Sequence, residues 1–176
     1  RWSSPGYADL MVGTSSDVAF ADASLKGIRG FDPREAYAAA LRNATTIAPV
    51  PNVGRKGMVA SPYRGYIDTR TGEGLSWSLE GGPNDFGIAQ LAESLAKSAH
   101  DPKDARRYSD EAAYFRARAF DYTRLFDPAT GFFRGRQADG NWRQPARAFD
   151  PRVWGGDYTE GNAWTYAFPA VYDSYG

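Results

Sequence analysis

Apolar side chains recur at helical spacing in two stretches in the middle of the chain. The first stretch runs from Asn84 to about His100, and the second from about Ala105 to Phe126. In the second, the intervals alternate between four and three residues, at Tyr108, Ala112, Phe115, Ala119, Tyr122 and Phe126. The pattern predicts two helices that form an antiparallel hairpin through Asp101-Pro102, with Asn84 as the first N-cap and Asp127-Pro128 as the final stop.

Start and stop signals predict two further helices nearer the N-terminus. Ser15-Ser16-Asp17 is typical of a capped helix start, and Gly27 of a helix end. The run Asp32-Pro33-Arg34-Glu35 combines an N-cap, a proline at the first helical position and the glutamate of a capping box. The second of these helices is therefore predicted to continue from Ala36 to about Asn43.

Glycine and proline interrupt the chain from about Thr46 to Leu79, which predicts a long loop. A loop of this length in a compact domain usually has a function or is disordered. Short strands could pair within it, and the residues with the right character are Met58, Tyr63, Tyr66 and Ile67.

Two smaller elements are predicted towards the C-terminus. Phe132–Arg136 and Asn141–Arg143 flank a turn at Ala138-Asp139-Gly140, which is typical of a β-hairpin. The tract that begins at Asp157 is predicted to lead into a short helix that ends at Pro169. Helical hairpins separated by elaborate loops indicate an all-α fold, a toroid of paired helices whose loops at one end build the site. A plain helical bundle is the simpler alternative, but it would not need such long loops.

Composition excludes several classes of function. The 176 residues suffice for one domain with a core, and 21 basic residues balance 21 acidic ones. This balance gives no electrostatic reason to expect nucleic acid or an anionic membrane as a partner. No stretch reaches the roughly 18 to 20 apolar residues of a membrane span. Aromatic residues make up 15% of the chain, which fits either a large aromatic core or a cleft whose rings stack on sugars.

The inventory of reactive side chains points to carboxylate chemistry. The chain has no cysteine, and its one histidine, His100, lies at a predicted helix end where a solvated cap is the ordinary interpretation. No phosphate-binding loop, zinc-binding helix motif or serine nucleophile elbow occurs. The usual nucleophile–base pairs are thus nearly excluded. Hydrolysis would then depend on carboxylates, as it does in glycosidases.

The carboxylates of interest lie beside glycines and aromatic residues. Asp157 and Glu160 share a tract with three aromatic residues, Trp154, Tyr158 and Trp164. A second pair, Glu80 and Asp85, follows Trp77 and flanks a glycine-rich run. Asp9 and Asp22 are weaker candidates. Each carboxylate could instead be a helix cap or a surface charge, and spacing alone favours that alternative.

One tract carries a specific resemblance. The run from Tyr158 to Trp164 reads Y-T-E-G-N-A-W and resembles a motif of glycoside hydrolase family 92. Other tracts resemble that family in the same order along nearly the whole chain: Gly6–Gly13, Ala21–Ile28, Leu79–Gln90, Phe126–Phe132 and Asp139–Trp142. One departure is Gly81-Gly82-Pro83-Asn84, which replaces an aromatic and acidic run usual in the family.

The resemblance implies an inverting, calcium-assisted exo-α-mannosidase that releases mannose from N-glycan or mannan chains, usually at α-1,2 links. Glu160 matches the general acid of the family. The other residues then expected to bind substrate are Asp157, Tyr158, Asn162, Trp164, Glu80, Asp85 and Trp77. The resemblance further implies a mannose-containing oligosaccharide as partner and a secreted, periplasmic or cell-surface location. Calcium ligands are expected mostly outside this chain.

The resemblance also predicts the domain organisation. Residues 1–176 would form one partial domain, a segment of an (α/α)6 toroid, without the family's N-terminal β-sandwich and without the downstream tract that bears the catalytic base. We therefore expect this chain by itself to be inactive, and to associate with itself or with a companion fragment of the same protein. The alternatives are another carbohydrate enzyme on a helical toroid, such as a trehalase-like hydrolase or a phosphorylase, and a fragment that only binds sugar or is inert.

Overall fold

The computed structural model describes residues 11–174, and the description below applies to these residues. Five α-helices, two short strands and two 3₁₀ helices follow one another in this part of the chain. The α-helices are α1 Ser16–Leu25, α2 Pro33–Thr45, α3 Ser61–Arg64, α4 Gly74–Ser98 and α5 Pro102–Ala119. The strands are β1 Phe126–Asp127 and β2 Phe132–Phe133, and the 3₁₀ helices are Phe120–Leu125 and Ala146–Ala148. The expected all-α class is confirmed.

Helix α4 is the central element, and its two halves pack into two different hydrophobic cores. The C-terminal half places Ile88 and Leu91, both fully buried, against α1, α2 and α5. The N-terminal half places Leu75 and Leu79 against the segments that follow α5 and against Tyr158. The helix therefore connects a purely helical core to a second core that contains the tract with Glu160.

The predicted pairing of two long helices is confirmed. Helices α4 and α5 pack along each other and are joined by residues 99–101, a connection short enough to make them an antiparallel hairpin. The interface includes Phe115, which is almost fully buried, and α1 and α2 pack onto the same hairpin. Asp32 and Asp101 act as the N-caps of α2 and α5, because each carboxylate accepts a hydrogen bond from the backbone N–H two residues on.

The prediction that α4 begins at Asn84 is wrong, because the helix begins ten residues earlier, at Gly74. Asn84 is a buried residue inside the helix, and its side-chain amide donates to the carbonyl of Glu80 at 2.8 Å. Pro83 removes one intrahelical hydrogen bond, yet the helix continues. Burial of both halves in hydrophobic cores explains why the low helix propensity of Gly81-Gly82-Pro83 does not end it.

The loop after α2 is shorter than predicted and has a different internal structure. It ends at Glu73, and the strands expected around Met58 and Tyr66 are absent from its described residues. The single turn of α3 lies there instead, and Gly65 ends it in a left-handed conformation. Met58 and Tyr66 are buried, so these residues serve the core rather than a sheet.

The β structure after α5 differs in position from the prediction. Strands β1 and β2 pair antiparallel, with Phe126 opposite Phe133, so Asp127-Pro128 begins a hairpin turn. The predicted hairpin around Gly140 is reduced to one antiparallel bridge between Arg136 and Trp142. Helix α5 ends at Ala119, and the chain continues to Leu125 as a 3₁₀ helix rather than as α-helix.

The short helix predicted after Glu160 is not formed in the described residues, where residues 163–166 make a turn. Asn162 begins this turn, since its side-chain oxygen accepts from the backbone N–H groups of Trp164 and Thr165 at 3.0 and 3.3 Å. Pro169 lacks a backbone N–H, which disfavours a further helical turn. Within residues 11–174, no helix is both long enough and apolar enough to cross a bilayer.

Candidate active site

Glu160 lies in a loop that is closed by its own backbone. The N–H of Gly155 donates to the carbonyl of Gly161 at 2.8 Å, and the N–H of Tyr158 donates to the carbonyl of Gly155 at 3.2 Å. We refer to residues 155–161 as the acid loop. Glu160 has φ = 46°, a left-handed conformation that is uncommon for a residue with a side chain. Its carboxylate is exposed, so it is accessible to a ligand.

The acid loop lies on the first turn of α4. The backbone carbonyl of Asp157 accepts from the N–H of Ser76 at 3.2 Å and from the Ser76 hydroxyl at 3.3 Å. The same hydroxyl accepts from the N–H of Thr159 at 2.9 Å. Ser76 is fully buried, which makes these hydrogen bonds inaccessible to competing water.

Asp157 forms an ion pair with Arg143 through both carboxylate oxygens. Arg143 Nε lies 2.8 Å from one oxygen and Nη2 2.6 Å from the other, a bidentate arrangement. Gly135 packs so closely on the carboxylate that a side chain there would collide with it. The pair raises the pKa of the Arg143 guanidinium. Because Arg143 contacts both oxygens of Asp157, this carboxylate holds the loop in place, and its predicted contact with substrate stays a prediction.

The other predicted residues of the tract take different positions. Tyr158 is buried and donates its hydroxyl proton to the carbonyl of Phe133 at 2.7 Å, and burial raises its pKa. Asn162 supports the turn described above. Trp164 is 62% exposed and makes an edge-to-face contact with Phe132, with ring centroids 4.8 Å apart. Of these three, Trp164 is the one available to stack on a sugar.

Glu80 and Trp77 lie further along α4. Glu80 is half-buried, and burial raises the pKa of its carboxyl. Trp77 is buried, and the Lys56 ammonium lies 5.4 Å from its ring centroid. Trp77 lines a small cavity of about 60 Å³ together with Asp85, Tyr66, and Gly81 and Gly82 of α4.

Asp85 belongs to a buried ionic network that joins several elements. One carboxylate oxygen accepts from Arg55 and Arg118, and the other from Arg118 Nε at 2.6 Å. Arg55 also pairs with Asp17 of α1, which Asn43 of α2 contacts at 3.0 Å. Burial raises the pKa of Asp17, although its partners oppose the shift. The contacts of Asp85 are those of a residue that holds helices together.

The predicted residues are therefore only partly brought together. Asp157 and Tyr158 line a second cavity, of about 210 Å³, between the acid loop and the segment 143–150. Trp77 and Asp85 line the first cavity, and Glu160 lies outside the linings of both. The tract Gly6–Gly13 and Asp9 lie mostly or wholly outside the described residues. Asp22 pairs with Lys26 on the surface of α1.

The described residues do not provide a metal site by themselves. Within residues 11–174, no three His, Cys, Asp or Glu side chains lie close enough together to hold a metal ion. Calcium prefers six to eight oxygen ligands, and the carboxylates of Asp85 and Asp157 are already paired with arginines. The expected calcium ion remains a prediction of the resemblance.

Sequence reasoning missed Ser76 and Arg143, the two residues that hold the acid loop. Neither type of residue gives a signal at its position, because serine in a first helical turn and arginine after a hairpin are both ordinary. Gly135 gave a possible signal, since a glycine within a predicted strand often marks a close approach of another group.

Comparison with known proteins identifies the family to which this chain belongs. The sequence model of the glycosyl hydrolase family 92 catalytic domain matches residues 1–176. No curated protein gives a match. Among solved structures, the family GH92 inverting mannosidase BT2199 from Bacteroides thetaiotaomicron VPI-5482 is 32% identical, with a TM-score of 0.83 over 98% of this chain and 22% of that one.

A second enzyme of the same organism is also similar. The GH92 α-mannosidase BT3965 is 31% identical, with a TM-score of 0.73 over 91% of this chain and 19% of its own. Its complex with mannoimidazole gives 30% identity and the same TM-score, over 91% of this chain and 20% of its own. The chain thus spans about a fifth of the length of these structures. Because the family model covers every residue and the likeness extends to sequence as well as fold, this chain belongs to glycosyl hydrolase family 92, as a segment of its catalytic domain.

Proposed function

We propose that the intact protein, meaning the polypeptide that carries the complete family 92 domain, is an inverting exo-α-mannosidase with Glu160 as its general acid. The observation that carries the proposal is the exposed carboxylate of Glu160 on a closed, well-supported loop. A general acid needs a carboxyl group that a glycosidic oxygen can reach. Membership of the family and the mannosidase names of both similar structures support the substrate class.

In this mechanism the Glu160 carboxyl proton passes to the glycosidic oxygen of the terminal mannose as the bond to the anomeric carbon breaks. Water attacks the anomeric carbon from the opposite face, activated by a second carboxylate roughly 6.5 to 9.5 Å away. From the family resemblance, we expect this base to lie downstream of the acid tract in the sequence. Trp164, exposed four residues after the acid, is suited to contact an apolar sugar face.

The finer assignments come from the family resemblance. We propose α-1,2-linked mannose in N-glycan or mannan chains as the substrate and calcium as the cofactor, with a secreted, periplasmic or cell-surface location. Calcium takes six to eight oxygen ligands, and we expect most of them to come from outside this chain, since residues 11–174 hold no cluster of three carboxylate, histidine or cysteine side chains. When bound, the ion would contact mannose hydroxyls and favour ring distortion.

The test is to replace Glu160 by glutamine in the intact protein and to compare two substrates. One is α-1,2-mannobiose, whose leaving group needs a proton, and the other is an aryl α-mannoside with an activated leaving group. Loss of a general acid should lower kcat for mannobiose by roughly 10² to 10⁴ fold and affect the aryl substrate far less. Glu35→Gln is the matched control, because Glu35 is exposed on α2.

Equal losses on the two substrates would contradict the acid role of Glu160. Absence of mannosidase activity in the intact wild-type protein, together with turnover of α-glucosides, would contradict the substrate class. Activity of residues 1–176 alone as a monomer would show that the base lies within these residues, contrary to the proposal.

A further inference from the structure

Ser76 makes more contacts with the acid loop than any role in helix formation requires. It is fully buried in the first turn of α4, and its backbone N–H and hydroxyl both donate to the Asp157 carbonyl, at 3.2 and 3.3 Å. Its hydroxyl oxygen also accepts from the Thr159 N–H at 2.9 Å. One side chain thus holds the backbone on both sides of Tyr158.

These contacts bear directly on the position of Glu160. Thr159 immediately precedes Glu160, and its carbonyl accepts from the hydroxyl of Tyr166 at 2.9 Å. Thr159 is therefore fixed by its N–H on one side and its carbonyl on the other. Within residues 11–174, the Glu160 carboxylate has no hydrogen-bond or ion-pair partner. Its location must then be set by the backbone, which adopts an unfavourable left-handed conformation at Glu160 itself.

We infer that Ser76 is a positioning residue for Glu160, and that its hydroxyl holds the acid loop where the carboxyl proton can meet the glycosidic oxygen. This inference rests on the proposed function of Glu160. Ser76 does not contact the reacting atoms and acts only through Thr159 and Asp157.

Replacement of Ser76 by alanine leaves the Thr159 N–H buried without its acceptor. The loop then gains freedom to move. A misplacement of about 1 Å in a reacting group can lower the rate by roughly 100-fold. In the intact protein, Ser76→Ala should lower kcat for α-1,2-mannobiose by roughly 10- to 100-fold, with a smaller change in KM. Turnover of the activated aryl mannoside should fall by less than about threefold, because protonation matters less there.

Ser78→Ala is the matched control, because it removes another hydroxyl from the same helix. The Ser78 hydroxyl donates to the Gly74 carbonyl at 2.7 Å and accepts from the Ile67 N–H at 2.8 Å. Neither partner belongs to the acid loop. Ser78→Ala should therefore keep the wild-type ratio of mannobiose to aryl mannoside turnover. Ser76→Cys provides a graded test, because a thiol is a weaker hydrogen-bond donor and acceptor than a hydroxyl. The ratio of mannobiose to aryl mannoside turnover in Ser76→Cys should lie between those of wild type and Ser76→Ala.

The outcomes separate this inference from the proposed function. If Glu160→Gln shows no dependence on the leaving group, the proposed function is wrong. Glu160→Gln could depend on the leaving group while a folded Ser76→Ala keeps the wild-type ratio of mannobiose to aryl mannoside turnover. In that case Ser76 does not position Glu160. The same conclusion follows if Ser78→Ala changes the ratio as much. If Ser76→Ala does not fold, a folded Ser76→Cys with the wild-type ratio overturns the inference, and an intermediate ratio supports it.

Discussion

The buried network around Asp85 should be one of the most sensitive points in the fold. The Asp85 side chain is 6% exposed, and those of Arg55 and Arg118 are 8% and 10% exposed. Asp85→Asn keeps the size of the side chain but removes its charge and replaces one acceptor oxygen by an NH₂ donor. That donor then faces arginine N–H groups, so a repulsive contact replaces an attractive one.

The magnitude follows from the hydrogen bonds that are lost. Asp85 accepts three bonds from the two guanidinium groups, and asparagine can keep only those made to its single oxygen. At least one charge-assisted bond is lost, worth about 1.5 to 3 kcal/mol, and one buried positive charge loses its compensation. Breaking a buried ion pair in this way lowers the free energy of unfolding by about 3 to 5 kcal/mol.

Urea unfolding followed by tryptophan fluorescence would measure this loss. Asp22→Asn is the control, because Asp22 pairs at 2.8 Å with Lys26 on the surface, where an i,i+4 pair contributes only about 0.5 kcal/mol. Adding Arg118→Met to Asp85→Asn should lose less than the sum of the single losses, because the two side chains share an interaction. A loss for Asp85→Asn no larger than that for Asp22→Asn would refute this account of the network.

Three further predictions concern α4. Gly81→Ala should raise the free energy of unfolding by about 0.5 to 1 kcal/mol, since a Cβ there meets nothing within 4 Å and alanine favours helix. Gly87→Ala should instead lower it by about 1 to 3 kcal/mol, because its Cβ would lie 2.8 Å from the Val18 Cα of α1, and urea unfolding measures both. For Glu80, burial raises the folded pKa above the unfolded one, so ionisation opposes folding at pH values above the folded pKa and has no effect below the unfolded pKa. Glu80→Gln should therefore raise the melting temperature at pH 7 but not near pH 3, and an equal rise at both values would contradict the burial effect.

The sequence predicted the elements whose signals are local. The period of apolar residues in α5 placed Tyr108, Ala112 and Phe115 on a buried face, and the structure confirms their burial. Asp32 caps α2 as its position before proline indicated. These features depend on neighbours within one or two turns, so they can be inferred from spacing alone.

The largest error, the start of α4, has its physical origin in long-range packing. Gly81-Gly82-Pro83 disfavours helix locally, and the structure continues the helix because Leu79 on one side and Ile88 on the other are buried in separate cores. After Glu160 the opposite occurs, since Asn162 begins a turn that does not extend into a helix. Burial in two cores therefore decided the outcome in α4, whereas after Glu160 the outcome follows from the local contacts of Asn162 and from Pro169.

In the candidate site, local sequence likewise indicates the residue, whereas distant contacts set its position. The proposed proton donor, Glu160, was chosen from the Y-T-E-G-N-A-W tract, so that proposal uses only seven consecutive residues. Its placement depends on Ser76, 83 residues earlier than Thr159, and on the pair between Asp157 and Arg143. Because Ser76 lies in the half of α4 that packs into the second core, the stability of that core and the position of Glu160 are linked through one helix turn. We therefore compare two substitutions that lower the free energy of unfolding equally, one in the N-terminal half of α4 and one in the core formed by α1, α2 and α5. The first should reduce proton donation by Glu160 more than the second.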